Sequence, residues 1–156
     1  MDIKTGQEAP DFTLQNTEGE KITLSDYIGE KNIVLLFFPL AFTSTCTVEM
    51  CTMRDNMKLY NSLDAKIIGI SVDSFFTLKE FKKTENLNFT LLSDFNKEVS
   101  ENYGVLYEDY FGMKGVSKRA AFVINKDGEV AYAEVLDDSG NQPDYDAIQK
   151  TLSEIN

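Results

Sequence analysis

Three short segments, residues 32–38 (NIVLLFF), 66–72 (KIIGISV) and 119–125 (RAAFVIN), are apolar almost without interruption. A run of that length with no polar alternation suits a strand buried on both faces, and such strands need helices packed on each side. Residues 89–94 (FTLLSD) form a fourth, shorter run. Helical spacing appears between the runs, at 45–60, 75–86 and 96–103, and once more after them at 143–154. Two turns add direction to this picture. Asn125-Lys126-Asp127-Gly128 joins AAFVIN to EVAYAEV as an antiparallel hairpin, and Thr17-Glu18-Gly19 joins two alternating runs within residues 12–27 as another. The predicted class is α/β: a thioredoxin-like arrangement with a mixed central sheet, an N-terminal β-hairpin extension and flanking helices.

A chain of 156 residues buries about 70% of its unfolded surface as one domain, so residues 1–156 are read as a single unit with no need of disulfides. The opening residues lack the apolar stretch of a signal peptide, and the longest apolar run, 33–42, is too short to cross a bilayer. The expected compartment is the reducing cytoplasm, where paired cysteines are more often reactive than structural. A net charge of −11 repels nucleic acid and anionic membrane, so neither is expected as a partner.

The chain holds two cysteines, both inside residues 39–51, PLAFTSTCTVEMC. This stretch leaves the end of a buried strand, breaks at Pro39 and enters a helix near Thr45. In open α/β sheets, sites are built at that point. Thr43, Ser44 and Thr45 are all candidate N-caps. Cys46 then falls in the first helical turn, where free backbone N–H groups and the helix dipole favour a thiolate. On a helix from 45 to 60, Cys46, Met50, Met53, Met57 and Tyr60 share one face, which reads as core. Cys51 lies on the polar side with Arg54, Asp55 and Lys58.

Helix geometry separates the Cα atoms of Cys46 and Cys51 by about 8.6 Å, more than the roughly 7 Å a disulfide tolerates. No bridge forms while the helix is intact. A metal site lacks ligands, since the chain contains no histidine, and no cofactor is implied. The spacing is also not the C-x-x-C of a dithiol redox pair. What remains is a reactive thiolate and a second thiol that reaches it only after movement.

Pro39, Thr43 and Cys46 match the P-x-x-x-T-x-x-C signature of the peroxiredoxins, and the chain resembles that family over nearly its whole length. GQEAPDFTLQNTEGEKITLSDY, FFPLAFTSTC, IIGISVDS, FTLLSD and KRAAFVINKDGEV follow in the family's order. Cys51 resembles the second cysteine of the bacterioferritin-comigratory-protein (Q-type) group, while FFPLAFT looks closer to the alkyl hydroperoxide reductase E group. The resemblance implies a thiol-dependent peroxidase for hydrogen peroxide and alkyl hydroperoxides. In it Cys46 is the peroxidatic cysteine, Thr43 offers a hydroxyl to the peroxide, Pro39 shields the sulfur, Arg119 supplies the cation and Glu49 orients Arg119. Cys51 is then the resolving cysteine, with thioredoxin or a similar thiol as reductant. Relatives in the Q-type group are often monomers and those in the reductase E group dimers edge to edge, and a homodimer is expected here. The alternatives are a one-cysteine cycle resolved by an external thiol, and a peroxide sensor or thiol–disulfide relay. Thr-Ser-Thr-Cys departs from the family's common Thr-Pro-Gly-Cys, and Phe38 and Phe42 are candidates to line a pocket for alkyl groups.

Overall fold

The computed structural model describes residues 2–156. Seven strands form one sheet in the order β2-β1-β5-β4-β3-β6-β7. They are β1 (Thr13–Asn16), β2 (Lys21–Thr23), β3 (Asn32–Phe37), β4 (Ala65–Ser71), β5 (Thr90–Ser93), β6 (Arg119–Ile124) and β7 (Val130–Leu136). β3, β4 and β5 run parallel, β6 is antiparallel to β3, and both edges close with antiparallel hairpins. The sheet is therefore mixed, as the alternation of runs and turns predicts. The three longest apolar runs occupy its centre, and every residue of β3 and β6 is buried.

Period-two geometry divides β3 between two cores. Val34, Leu36 and Phe38 face one side, where they meet Met50, Met53, Tyr60, Leu78, Phe81, Ile148 and Leu152 of the helices α1 (Ser44–Asp55), α2 (Met57–Ser62), α3 (Phe75–Thr84) and α5 (Tyr145–Ile155). Ile33, Leu35 and Phe37 face the other, under Phe12 and Leu24 and the short α4 (Glu98–Asn102) with its neighbour Tyr103. Phe38 is thus core, packed 6.2 Å from Phe81 between ring centres, and does not line a pocket.

The helix predicted over 45–60 is two helices. The side-chain amide of Asn56 donates to the Thr52 carbonyl at 2.8 Å, taking the acceptor that the Asn56 backbone N–H uses in a continuing helix. That N–H turns to Met53 and Arg54 instead, a competition typical of asparagine. The break leaves Cys46, Met50, Met53 and Tyr60 buried but Met57 only partly so. Residues 24–27, read as the end of an alternating run, form a 3₁₀ turn.

Two contacts set the height of α1 above the sheet. Gly69 of β4 lies beneath it: a Cβ there would sit 2.7 Å from Leu91 Cδ2 and 3.4 Å from Met50 Sδ. The Asp73 carboxylate accepts from the Ala41 N–H at 2.8 Å and the Ser71 hydroxyl at 2.7 Å, which ties the loop before α1 to the end of β4. Gly69→Ala is expected to lower stability by about 1–3 kcal/mol, the usual result of overpacking, and a denaturant midpoint measures it. An unchanged midpoint would mean that the Leu91 side chain moves aside for the added methyl at no cost.

Candidate active site

The site begins where β3 stops. Pro39 and Ala41 are buried, and Phe42 then adopts φ +68°, a left-handed conformation uncommon for a bulky residue. Its ring is half exposed yet packs edge-on to Phe81 at 5.1 Å between centres, which holds the bend. Thr43 occupies the N-cap position of α1 with extended backbone but makes no side-chain cap. Its hydroxyl donates to the Leu40 carbonyl at 2.8 Å instead, so the loop and not the helix fixes its direction. α1 starts at Ser44, one residue earlier than predicted. Its first backbone bond runs from the Thr47 N–H to the Thr43 carbonyl, which leaves the N–H groups before it directed out of the helix start.

Cys46 lies in that first turn, 1% exposed. Strand pairing supplies its neighbour. Phe37 at the end of β3 lies opposite Ala120 of β6, so Arg119, one residue further out, emerges beside the loop. Its guanidinium is also 1% exposed and faces three acceptors. Nη2 donates to Cys46 Sγ at 3.4 Å and to the Ser139 carbonyl at 2.9 Å, and Nη1 donates to Glu49 Oε1 at 2.6 Å. Glu49 lies one helical turn after Cys46 and is fully buried. Pro39, Cys46, Glu49 and Arg119 thus converge beyond the carboxyl end of β3, with Thr43 at the surface edge of the group.

Charge in this cluster is nearly but not wholly matched. Burial pushes the Glu49 carboxyl up to about 7, against the pull of Arg119. Burial also works against the charge of Arg119, but Glu49 and Cys46 outweigh it and hold Arg119 above its ordinary value. Glu49 Oε2 and Arg119 Nε have no protein partner among the described residues.

The loop between β7 and α5 closes the far side, and nothing in its polar sequence DDSGNQPD marks it for that task. Besides the Ser139 carbonyl, it sends the Gln142 amide to the Thr45 carbonyl at 3.0 Å, and the Tyr145 hydroxyl donates in turn to Gln142 Oε1. The loop therefore touches both Arg119 and the first turn of α1.

Cys51 lies apart from this cluster. Both cysteines are free, and both belong to the unbroken helix α1. The Cys51 thiol is partly buried and donates to Glu85 Oε2 of the α3 C-terminus at 3.4 Å. Arg54 does lie on that side, donating to the Glu85 carbonyl at 2.6 Å and to Asp55 at 2.9 Å. Lys58 lies beyond the Asn56 break, and Glu85 is the charged group from another element that faces the thiol.

The AhpC/TSA family model matches residues 5–133. Peroxiredoxin Bcp of Escherichia coli (strain K12) is 36% identical over 154 residues, covering 97% of each chain. The chain belongs to the AhpC/TSA family, the peroxiredoxins. A 2-cysteine chloroplastic peroxiredoxin of Chattonella marina var. antiqua is 37% identical over 145 residues, covering 86% of this chain and 72% of the relative. Among solved structures, peroxidoxin BcpB of Mycobacterium tuberculosis superposes with a TM-score of 0.88 at 31% identity, covering 99% of both chains. The fold is accordingly the thioredoxin-like peroxiredoxin fold, and the protein is a thiol peroxidase.

The raised Glu49 carboxyl gives a signed pH effect. A group whose folded value lies above its unfolded value of 4.5 adds stability that is complete below 4.5 and is lost as pH rises toward 7. Wild type minus Glu49→Gln stability, from urea denaturation, is therefore expected to fall by a few kcal/mol across that window and level off above it. A flat difference would mean Glu49 ionises in the fold as easily as in water.

Proposed function

We propose that Cys46 is the peroxidatic cysteine and that the three acceptors around Arg119 exist to serve it. The observation that carries this reading is the Arg119 Nη2–Cys46 Sγ contact of 3.4 Å, between two groups withdrawn from water. A buried guanidinium beside sulfur favours the thiolate and offers fixed N–H donors to a peroxide lying across it. The thiolate attacks one peroxide oxygen, the O–O bond breaks, and the sulfur becomes a sulfenic acid. The departing oxygen leaves as hydroxide or alkoxide and takes up a proton to give water or alcohol. Thr43, whose own proton is engaged by the Leu40 carbonyl, keeps its lone pairs for the peroxide O–H. Pro39 limits water at the sulfur, and Glu49 fixes Arg119 through Oε1.

Cys51 is then the resolving cysteine. Its Cα stands too far from Cys46 along α1 for a disulfide, so the first turn opens, the Gln142–Thr45 contact breaks, and the two sulfurs meet. The disulfide forms with release of water, and a dithiol reductant such as thioredoxin restores both thiols. Residues 1–156 act as one domain in the reducing cytoplasm. No helix among the described residues is long and apolar enough to cross a membrane. The homodimer expected from the family is supported by exposed Phe42, Val48 and Phe111. The loop carrying Phe111 reaches the site through the Tyr110–Ser139 hydrogen bond.

Intact mass of the reduced protein after one equivalent of hydrogen peroxide tests the cycle. Loss of two hydrogens within one chain is the expected result. Cys51→Ser is expected to gain one oxygen instead and to lose most steady turnover with thioredoxin. Full turnover by Cys51→Ser would make Cys51 a bystander and the cycle a one-cysteine one.

A further inference from the structure

The two thiols of this chain face opposite charges. Cys46 has a guanidinium beside it, while Cys51 has a carboxylate, supplied by a residue 34 positions away in sequence. We propose that Glu85 is a positioning residue for the second thiol: its carboxylate accepts the Cys51 S–H and keeps that sulfur protonated and docked on α3 until Cys46 has been oxidised. The proposal rests on the reading of Cys51 as the resolving cysteine.

Three features of the contact support it. The main chain at Glu85 is fixed without its carboxylate. Arg54 Nη1 donates to the Glu85 carbonyl at 2.6 Å, and Asn88 Nδ2 donates to the Arg54 carbonyl at 3.3 Å, so α1 is strapped to the segment between α3 and β5 in both directions. The carboxylate is therefore free of a structural task, and among the described residues its one hydrogen bond comes from Cys51. The other charges facing the thiol come from its own helix. Asp55 is occupied by Arg54 Nε at 2.9 Å, and the remaining pull of Arg54 toward a thiolate is outweighed. Burial and the hydrogen bond to Glu85 together push the Cys51 thiol up.

The arrangement assigns an order to the two sulfurs. A protonated thiol is a poor nucleophile, so peroxide and stray disulfides are left to Cys46. Once Cys46 is a sulfenic acid, the Cys51 S–H bond breaks and the new S–S bond forms as the S–O bond of the sulfenic acid breaks. The proton released from Cys51 combines with the departing hydroxide, which leaves as water, and Glu85 takes no part once Cys51 has left α3.

Cys46→Ser protein, which retains Cys51 as its only thiol, tests the assignment without requiring any resolving activity. The measurement is the rate of Cys51 alkylation by iodoacetamide across the thiol titration range. Glu85→Gln keeps the size of the side chain and a hydrogen-bonding amide but removes the charge. It is expected to lower the pH midpoint and to raise the neutral-pH rate several-fold, and Asp55→Asn is expected to move the profile much less. Superimposable profiles with and without the Glu85→Gln substitution would overturn the proposal. An equal shift from Asp55→Asn would overturn it too, since that would reduce the effect to a general acidic field. A Cys51→Ser enzyme that turns over normally, beside an intact Glu85 effect, would remove the resolving role of Cys51 and leave the Glu85–Cys51 contact standing.

Discussion

A buried arginine is the constraint on which this structure turns. Withdrawing a guanidinium from water costs several kcal/mol unless its donors are met, and Arg119 meets three acceptors from two separate elements: Cys46 and Glu49 of α1, and Ser139 of the β7–α5 loop. Each of these must lie within hydrogen-bond reach at once. The β3–β6 pairing brings Arg119 to the carboxyl end of β3, Gly69 allows α1 to settle low on the sheet, and Asp73 anchors the loop through Ala41. The sheet, the helix and the loop are thus all positioned around one cation.

The same helix carries a second sulfur in the opposite electrostatic setting. One face of α1 turns Cys46 inward to a cation, and another turns Cys51 toward the Glu85 carboxylate. A disulfide between them requires the helix to open, and the contacts that resist opening include the Arg119 bonds to Cys46 and Glu49, the Gln142–Thr45 bond at the first turn and the Cys51–Glu85 bond further along. On the proposed cycle Cys46 is buried when it reacts and exposed when it is resolved, so these restraints hold in one step and release in the next.

Much of this was legible in the sequence, and the reasons are local. Uninterrupted apolar runs marked β3, β4 and β6, and turn residues marked both hairpins. The position after β3, with Pro39 and Cys46, marked the place where Arg119 and Glu49 converge on a thiol. Arg119 and Glu49 came from the family resemblance alone, since a strand-start arginine and a first-turn glutamate are ordinary surface residues by pattern. Side-chain competition escaped detection: periodicity runs through Asn56 without registering that its amide takes the Thr52 carbonyl, and Thr43 looks like a cap although its hydroxyl serves the loop. Ser139, Gln142 and Asp73 act through tertiary contacts from segments with no periodic signal, and Glu85, at the end of a segment with helical spacing, acts through a tertiary contact that periodicity does not report.

The central claim is that Arg119 activates Cys46. Its most direct test is the second-order rate constant of Cys46 with hydrogen peroxide in wild type and in Arg119→Lys, with the fold of the variant checked by circular dichroism. Lysine keeps the charge but not the fork that spans sulfur, carboxylate and carbonyl. The expected result is a loss on the order of 10²–10³-fold, the usual consequence of removing a preorganised donor. Equal rate constants in a folded variant would contradict the account, leaving the buried arginine with a structural task and the reactivity of Cys46 with another source.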